Sequence, residues 1–412
     1  MSVNRLQLQE IRTTKICMST LIDWFSVLCV FLFSIYDCLN RLLPKLPISS
    51  LCMMVFIALL SVALLIKGRI NQWALLFLVF IYLVIGISFF LSNGYQAEYI
   101  KTMLLQPLAA TRLWVYFIVF SLIKQPEKWP KRLLIMGYIN IALLAMTALT
   151  GKFTATDLAI NYVGLGISAS MWVPILIQHA FLSSGKARTV HIIGSTISIV
   201  FVAVYGNRGS LVAILVYVLY CYMKYTNAKR KMLIALLIGL LCFGVYTYQT
   251  KIITFIVAQV SKIGFSSRNL TLFLTGNATY TTHRTDEIWI RMLNAIKEKP
   301  LIGYGLCYDR VLNGAMNMYA HNLVLELMVS FGVPIGSILC LFHLLLGAKA
   351  IFGSIDDDWE RLLTPFWVTS TVLLMFNNSF CQLGYFWISY GVFFAYKKLK
   401  CQNTKSTRVI RT

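Results

Sequence analysis

Long apolar runs alternate with short polar ones along almost the whole chain. The apolar runs fall at roughly 18–37, 51–66, 73–92, 108–123, 133–150, 163–182, 190–205, 209–223, 232–248, 322–346, 362–377 and 383–396. A bilayer-spanning helix needs ~20 mostly apolar residues, so this pattern predicts an all-α polytopic membrane protein of about twelve transmembrane helices. One interval breaks the rhythm: residues 249–321 form a long polar loop between the ninth and tenth runs. The expected organisation is therefore an N-terminal transmembrane bundle of about nine spans over 1–248, the large loop over 249–321, and a C-terminal region over 322–412 of about three spans with a basic tail.

Long loops of this kind are usually functional or disordered, and this one carries helix signals. Asp286 and Glu287 suit a first helical turn. Ile288, Trp289, Met292, Leu293 and Ile296 make one apolar stripe, Lys297 and Lys299 suit the last turn, and Pro300 stops it. A turn-like run follows, Pro-Leu-Ile-Gly-Tyr-Gly at 300–305.

Composition agrees with the pattern. Of 412 residues, 58% are hydrophobic and only 13% charged, and the mean hydropathy is +0.73. A soluble domain runs about half apolar and about a quarter charged, so an ordinary soluble fold is excluded. The net charge of +22 could point to nucleic acid, but no nucleic-acid-binding signature is present and the basic residues sit between apolar runs. With the N-terminus in the cytoplasm, 23 of the 37 Lys/Arg residues fall in inner segments, against five (Arg41, Lys45, Lys101, Lys152 and Arg208) in short outer loops. Lys/Arg bias in short loops sets orientation, so both termini are expected in the cytoplasm and the 249–321 loop outside. The ten cysteines show no metal-ligand spacing, and five lie inside apolar runs; they read as small apolar fillers.

Candidate chemistry gathers at the expected outer face. His321-Asn322 stands where the long loop enters the tenth span. Asn322 suits an N-cap for a helix starting at Leu323, with Glu326 near its positive end. His321 would face water at the membrane boundary, where a neutral imidazole can accept a proton. In the Tyr-Gly-Asn-Arg-Gly-Ser hairpin at 205–210, Arg208 is either a snorkelling interface residue or a fixed fork for phosphate. Arg284 precedes the loop helix, where a helix N-terminus adds to an anion site. Arg112 is the one basic residue placed inside a span, near its outer end, and Arg291 is a weaker candidate. Asp356-Asp357-Asp358 is the only Asp-x-Asp pattern, and it falls in an inner loop. The outer face thus offers a histidine, several arginines and few carboxylates for a metal. There is neither a P-loop nor a dinucleotide fingerprint. This set suits a reaction whose leaving group is a lipid pyrophosphate, with no cofactor.

These residues resemble the bacterial O-antigen polymerase and O-antigen ligase superfamily. The likeness rests on Asn-Arg-Gly at 207–209, on the run from Arg284 and Trp289 through Pro300–Gly305, on His321-Asn322 followed after nine residues by Gly332, and on a large outer loop late in the chain. Ile335 stands where the family often has a second glycine, and Gly336 follows it. The resemblance implies a GT-C-like, metal-independent glycosyltransferase of the bacterial inner membrane. Its donor would be an oligosaccharide on undecaprenyl pyrophosphate. It implies His321 as general base, Arg208 and Arg284 as pyrophosphate ligands with Arg112 and Arg291 as further candidates, and Asn322 and Glu326 as support. Partners would be membrane lipid, a chain-length regulator and a flippase. O-antigen polymerase is the first expectation, O-antigen ligase the second. A transporter of lipid-linked oligosaccharide is a third, though no paired halves with matching broken helices are seen.

Overall fold

The computed structural model describes residues 5–36, 45–65, 70–149, 155–205, 208–227, 287–314, 318–353, 355–376 and 378–409, together with a few single positions. Among them every regular element is helical. Among the described residues, eight long helices precede the large loop: α1 (Arg5–Ser34), α2 (Ile48–Leu65), α3 (Gln72–Leu91), α4 (Pro107–Ser121), α5 (Trp129–Leu149), α6 (Ala155–Leu182), α7 (Gly185–Tyr205) and α8 (Arg208–Tyr225), with a short helical stretch over Tyr95–Leu105 between α3 and α4. The loop contributes α9 (Ile290–Glu298) and α10 (Tyr308–Asn313), and the C-terminal region α11 (Leu323–Ile351), α12 (Asp357–Phe376) and α13 (Ile388–Val409). Eleven of the apolar runs fall on these helices; the run at 232–248 lies outside the described residues.

Among the described residues, three stretches are long and apolar enough to cross a membrane: Gln72–Leu91, Gly185–Ala203 and Leu323–Ile351. Shorter apolar helices occupy Thr20–Ser34, Ile48–Leu64, Gly166–Leu182 and Gly209–Tyr225. On α3, Trp73, Phe80, Phe90 and Leu91 are exposed. A soluble protein would bury such a row, so this face is suited to lipid. The protein is a helical membrane protein.

The largest core joins α1, α3, α4, α11, α12 and α13 through packed aromatics. Trp114 and Trp387 lie 4.7 Å apart, and Phe120 sits between Trp129 and Phe366. A second core holds α6, α8 and α12 together through Ile177, Tyr217 and Val368. Ion pairs tie neighbouring helices: Arg132 to Asp23 at 3.0 Å, with both partners buried, and the exposed Lys224 to the buried Glu360 at 2.9 Å. Glu360 also accepts from Tyr220 at 2.8 Å.

Three features place the site. The loop helix α9 follows the predicted stripe: Ile288, Met292 and Ile296 are buried against Ala320 and Val329, whereas Leu293 is exposed. The helix proper begins at Ile290 after a π-type turn over 287–289, later than Asp286 would suggest; Asp286 itself lies outside the described residues. Next, Asn322 caps α11, its carboxamide oxygen accepting from the N–H groups of Val324 (3.0 Å) and Leu325 (3.2 Å). Ten residues on, α11 breaks at Gly332, where φ is +76° and ψ 169°.

That break is a backbone crossing. Residues 300–305 run across the opened helix, with N–H groups of Tyr304 and Gly305 donating to Val329 and Ser330 (2.9 Å each), and that of Val333 donating to Pro300 (2.7 Å). Orphaned helix carbonyls are thereby satisfied. A Cβ on Gly332 would stand 2.4 Å from the Leu301 carbonyl oxygen, and one on Gly303 would stand 2.6 Å from the Gly332 nitrogen. Both glycines also have positive φ, a region costly for side chains. Gly332→Ala is therefore expected to destabilise the protein by a few kcal/mol, seen as a lowered melting temperature and yield in detergent. An unchanged melting temperature would mean that the crossing is not as described.

Candidate functional site

The site is built where the large loop meets the start of α11 and the 378–387 segment between α12 and α13. Its centre is a buried charge network that sequence reading missed. Arg310, on α10, is fully buried. Its guanidinium donates to both carboxylate oxygens of Asp309 (2.5 Å each), to Glu326 (3.2 Å) and to the Ser379 hydroxyl (2.7 Å). It also lies over the rings of Tyr99, at 4.7 Å, and Tyr319, at 5.4 Å. Two carboxylates thus share one cation in a dry environment, and Ser379 also donates to Glu326. Burial opposes the charge on Arg310, but its neighbours, Asp309 foremost, outweigh it and hold the guanidinium pKa well above the ordinary value. Burial pushes the Tyr99 phenol up, despite the opposing pull of Arg310.

The network reaches the predicted base through the backbone. The second oxygen of Asp309 accepts from the Ala320 N–H at 3.0 Å, and Asn313 donates to the Asp309 carbonyl at 2.8 Å. Trp289 donates from its indole N–H to the Ala320 carbonyl at 3.1 Å. Ala320 is therefore held from both sides, immediately before His321. His321 has φ +53°, a left-handed conformation uncommon outside glycine. Its ring centroid lies 4.1 Å from that of Tyr319. The Asp309 clamp, the indole bond and the Asn322 cap together hold the segment in this shape, and strain maintained this way is typical of functional positions.

Tyr319 also lines a cavity of about 620 Å³ with Tyr36, Gln106, Asn378, Gln382 and Tyr385. Gln382 donates to the Tyr99 hydroxyl at 2.8 Å, which ties this wall to the charge network. A second cavity of about 290 Å³ is apolar, lined by Phe80, Val84, Trp114, Leu327, Phe331 and others. The two share Leu113 and Cys381 in their walls. One cavity offers hydroxyl and carboxamide groups among apolar ones, while the other can take hydrocarbon.

The predicted residues divide as follows. His321, Asn322 and Glu326 come together at one site. Glu326 is not a free charge near the helix dipole, because it is buried against Arg310 and Ser379. Arg291 is exposed on α9, paired with Glu287 at 3.6 Å and donating to the Leu312 carbonyl at 3.4 Å. Arg112 lies within α4 and Arg208 opens α8, but the side chains of both lie outside the described residues, as does Arg284 altogether. Among the described residues, no group of three or more His, Cys, Asp or Glu is arranged to hold a metal. The missed Arg310 had a sequence signal: an Asp-Arg pair in the loop and a single acid, Glu326, at the head of an apolar span. An acid in that position needs a partner.

The O-antigen ligase family model matches residues 193–340. This stretch includes Arg208, Arg284, the Pro300–Gly305 crossing, Asp309, Arg310, His321 and Gly332, and the match bears out the resemblance to the O-antigen polymerase and ligase superfamily. No curated protein matches the chain.

Proposed function

We propose that this protein is an O-antigen polymerase, a membrane glycosyltransferase that joins oligosaccharide repeat units carried on undecaprenyl pyrophosphate at the periplasmic face. The observation that carries the reading is the pair of adjoining cavities, one of them walled by Tyr319, whose ring packs against that of His321. A polyprenyl-linked glycan has one hydrocarbon end and one polar end. The cavity lined by Trp114 and Phe331 suits the first; that lined by Gln106, Asn378 and Gln382 suits the second.

In this reading the acceptor hydroxyl oxygen attacks the anomeric carbon of the donor. The bond from that carbon to the pyrophosphate oxygen breaks, undecaprenyl pyrophosphate leaves, and His321 takes the hydroxyl proton. Arg208 and Arg284, with Arg112 and Arg291 as further candidates, bind the pyrophosphate and stabilise its growing charge. Asn322 and Glu326 fix the frame around the base. No metal or cofactor is needed, because the leaving group is already activated. The charge bias of the short loops supports about twelve spans with cytoplasmic termini, the apolar runs support three regions at 1–248, 249–321 and 322–412, and the family resemblance supports a GT-C-like arrangement. A chain-length regulator and a flippase complete the expected partners.

A ligase reading is favoured by the description of the matching family, O-antigen ligase. It differs only in the acceptor, a sugar of the lipid A core. A deletion strain separates the two. Loss of a polymerase is expected to leave single repeat units on the core, whereas bare core would contradict the polymerase reading and favour the ligase.

A further inference from the structure

Two cysteines from separate elements meet beside the candidate site. Cys307 immediately precedes α10, and Cys381 lies in the segment between α12 and α13, 74 positions later. Their sulfurs are 3.8 Å apart, and both side chains are buried. A covalent disulfide needs ~2.05 Å, so the two sulfurs stand in contact but unbonded, each the other's neighbour. The backbone points the same way. Gly303, Gly305, Cys307 and Gly314 all have positive φ, and in this stretch Cys307 alone meets that conformation with a side chain. That side chain is the one touching Cys381.

We propose that Cys307 and Cys381 form a disulfide that fastens α10 to the 378–385 wall of the cavity. The proposal rests on the periplasmic placement of this face given above, since that compartment is oxidising. Its partner is a thiol–disulfide oxidoreductase carrying a reactive disulfide. One thiolate of the pair attacks a sulfur of that disulfide, forming a mixed disulfide and releasing one oxidoreductase thiolate. The second thiolate then attacks the mixed disulfide; the Cys307–Cys381 bond forms and the second oxidoreductase thiolate leaves. Two electrons pass to the oxidoreductase, and the two protons given up by Cys307 and Cys381 are matched by two taken up on its leaving thiolates, so it ends as a dithiol. Burial of both sulfurs places the exchange before the loop packs into its final position. The bond crosses the same gap as the Arg310–Ser379 hydrogen bond, so it holds the buried network and the cavity wall in register.

The test is thiol alkylation of the full-length protein from native membranes, unfolded in denaturant, with and without prior reduction, followed by peptide mapping. The expected result is that residues 307 and 381 resist alkylation without reductant, appear as one linked peptide pair, and become fully alkylated after dithiothreitol. In Cys307→Ser, Cys381 is expected to alkylate without reductant. Free alkylation of both residues in unreduced wild-type protein, or linkage of either one to a different cysteine, would overturn the proposal. Polymer synthesis by the same membranes is read in parallel. A reduced pair with full polymer sinks the disulfide alone, and a linked pair without polymer sinks the functional reading alone.

Discussion

His321→Ala is expected to remove long polysaccharide from cells while the protein still inserts into the membrane at the normal level. The expected loss is ~10²–10⁴ in rate, the usual contribution of a positioned general base. On a gel of surface polysaccharide this converts a ladder into short products. Membrane fractionation gives the control. The backbone around His321 is fixed by its neighbours: the Asn322 cap, the Asp309 bond to Ala320 and the Trp289 bond to Ala320. Alanine should therefore leave the segment in place. Relief of the positive φ is minor, because alanine meets the same steric cost as histidine there. A variant that inserts normally and still makes a full ladder would refute the role of the imidazole.

Arg310→Met should have the largest effect on stability. Methionine keeps length and apolar volume but removes the one cation from between Asp309 and Glu326. Removing one partner of a buried ion network typically costs ~3–5 kcal/mol, because the remaining charge stays buried and uncompensated. Here two carboxylates are left. Asp309 would turn toward water and release the Ala320 N–H, so the loop that places His321 would lose its anchor. The expected result is a large fall in melting temperature of the detergent-solubilised protein together with loss of polymer. Arg310→Lys should recover part of the stability, since it keeps the charge without the planar fork. An Arg310→Met protein as stable as wild type would show that the network does not support the loop.

Much of the fold was legible because membrane helices must satisfy their backbone internally and present apolar residues outward, and that leaves a clear pattern. The start of α11 was readable from Asn322, and the apolar face of α9 from Ile288, Met292 and Ile296. The meaning of the Asn322-to-Gly332 spacing was not. It is the length of a half-helix between a cap and a break, and it depends on a crossing with residues 300–305 that no local signal announces. Leu293 fits the helical period but is exposed, because α9 is covered on one narrow face only. At the site, His321 was found through its position at a span boundary. Arg310 was hidden because its partners lie far away in sequence, at Tyr99, Glu326 and Ser379. Long-range polar contacts leave no periodicity to read. The pairing of Cys307 with Cys381 was hidden for the same reason, and cysteines in an apolar chain read as filler.

If this protein suffices for polymerisation, reconstitution will show it: purified protein in liposomes, supplied with purified undecaprenyl-pyrophosphate-linked repeat unit, with products resolved on a gel. A ladder of increasing repeat number, with undecaprenyl pyrophosphate released in step, is expected from wild-type protein and none from His321→Ala. Movement of labelled lipid-linked sugar across the liposome membrane with no new glycosidic bond would contradict the polymerase reading.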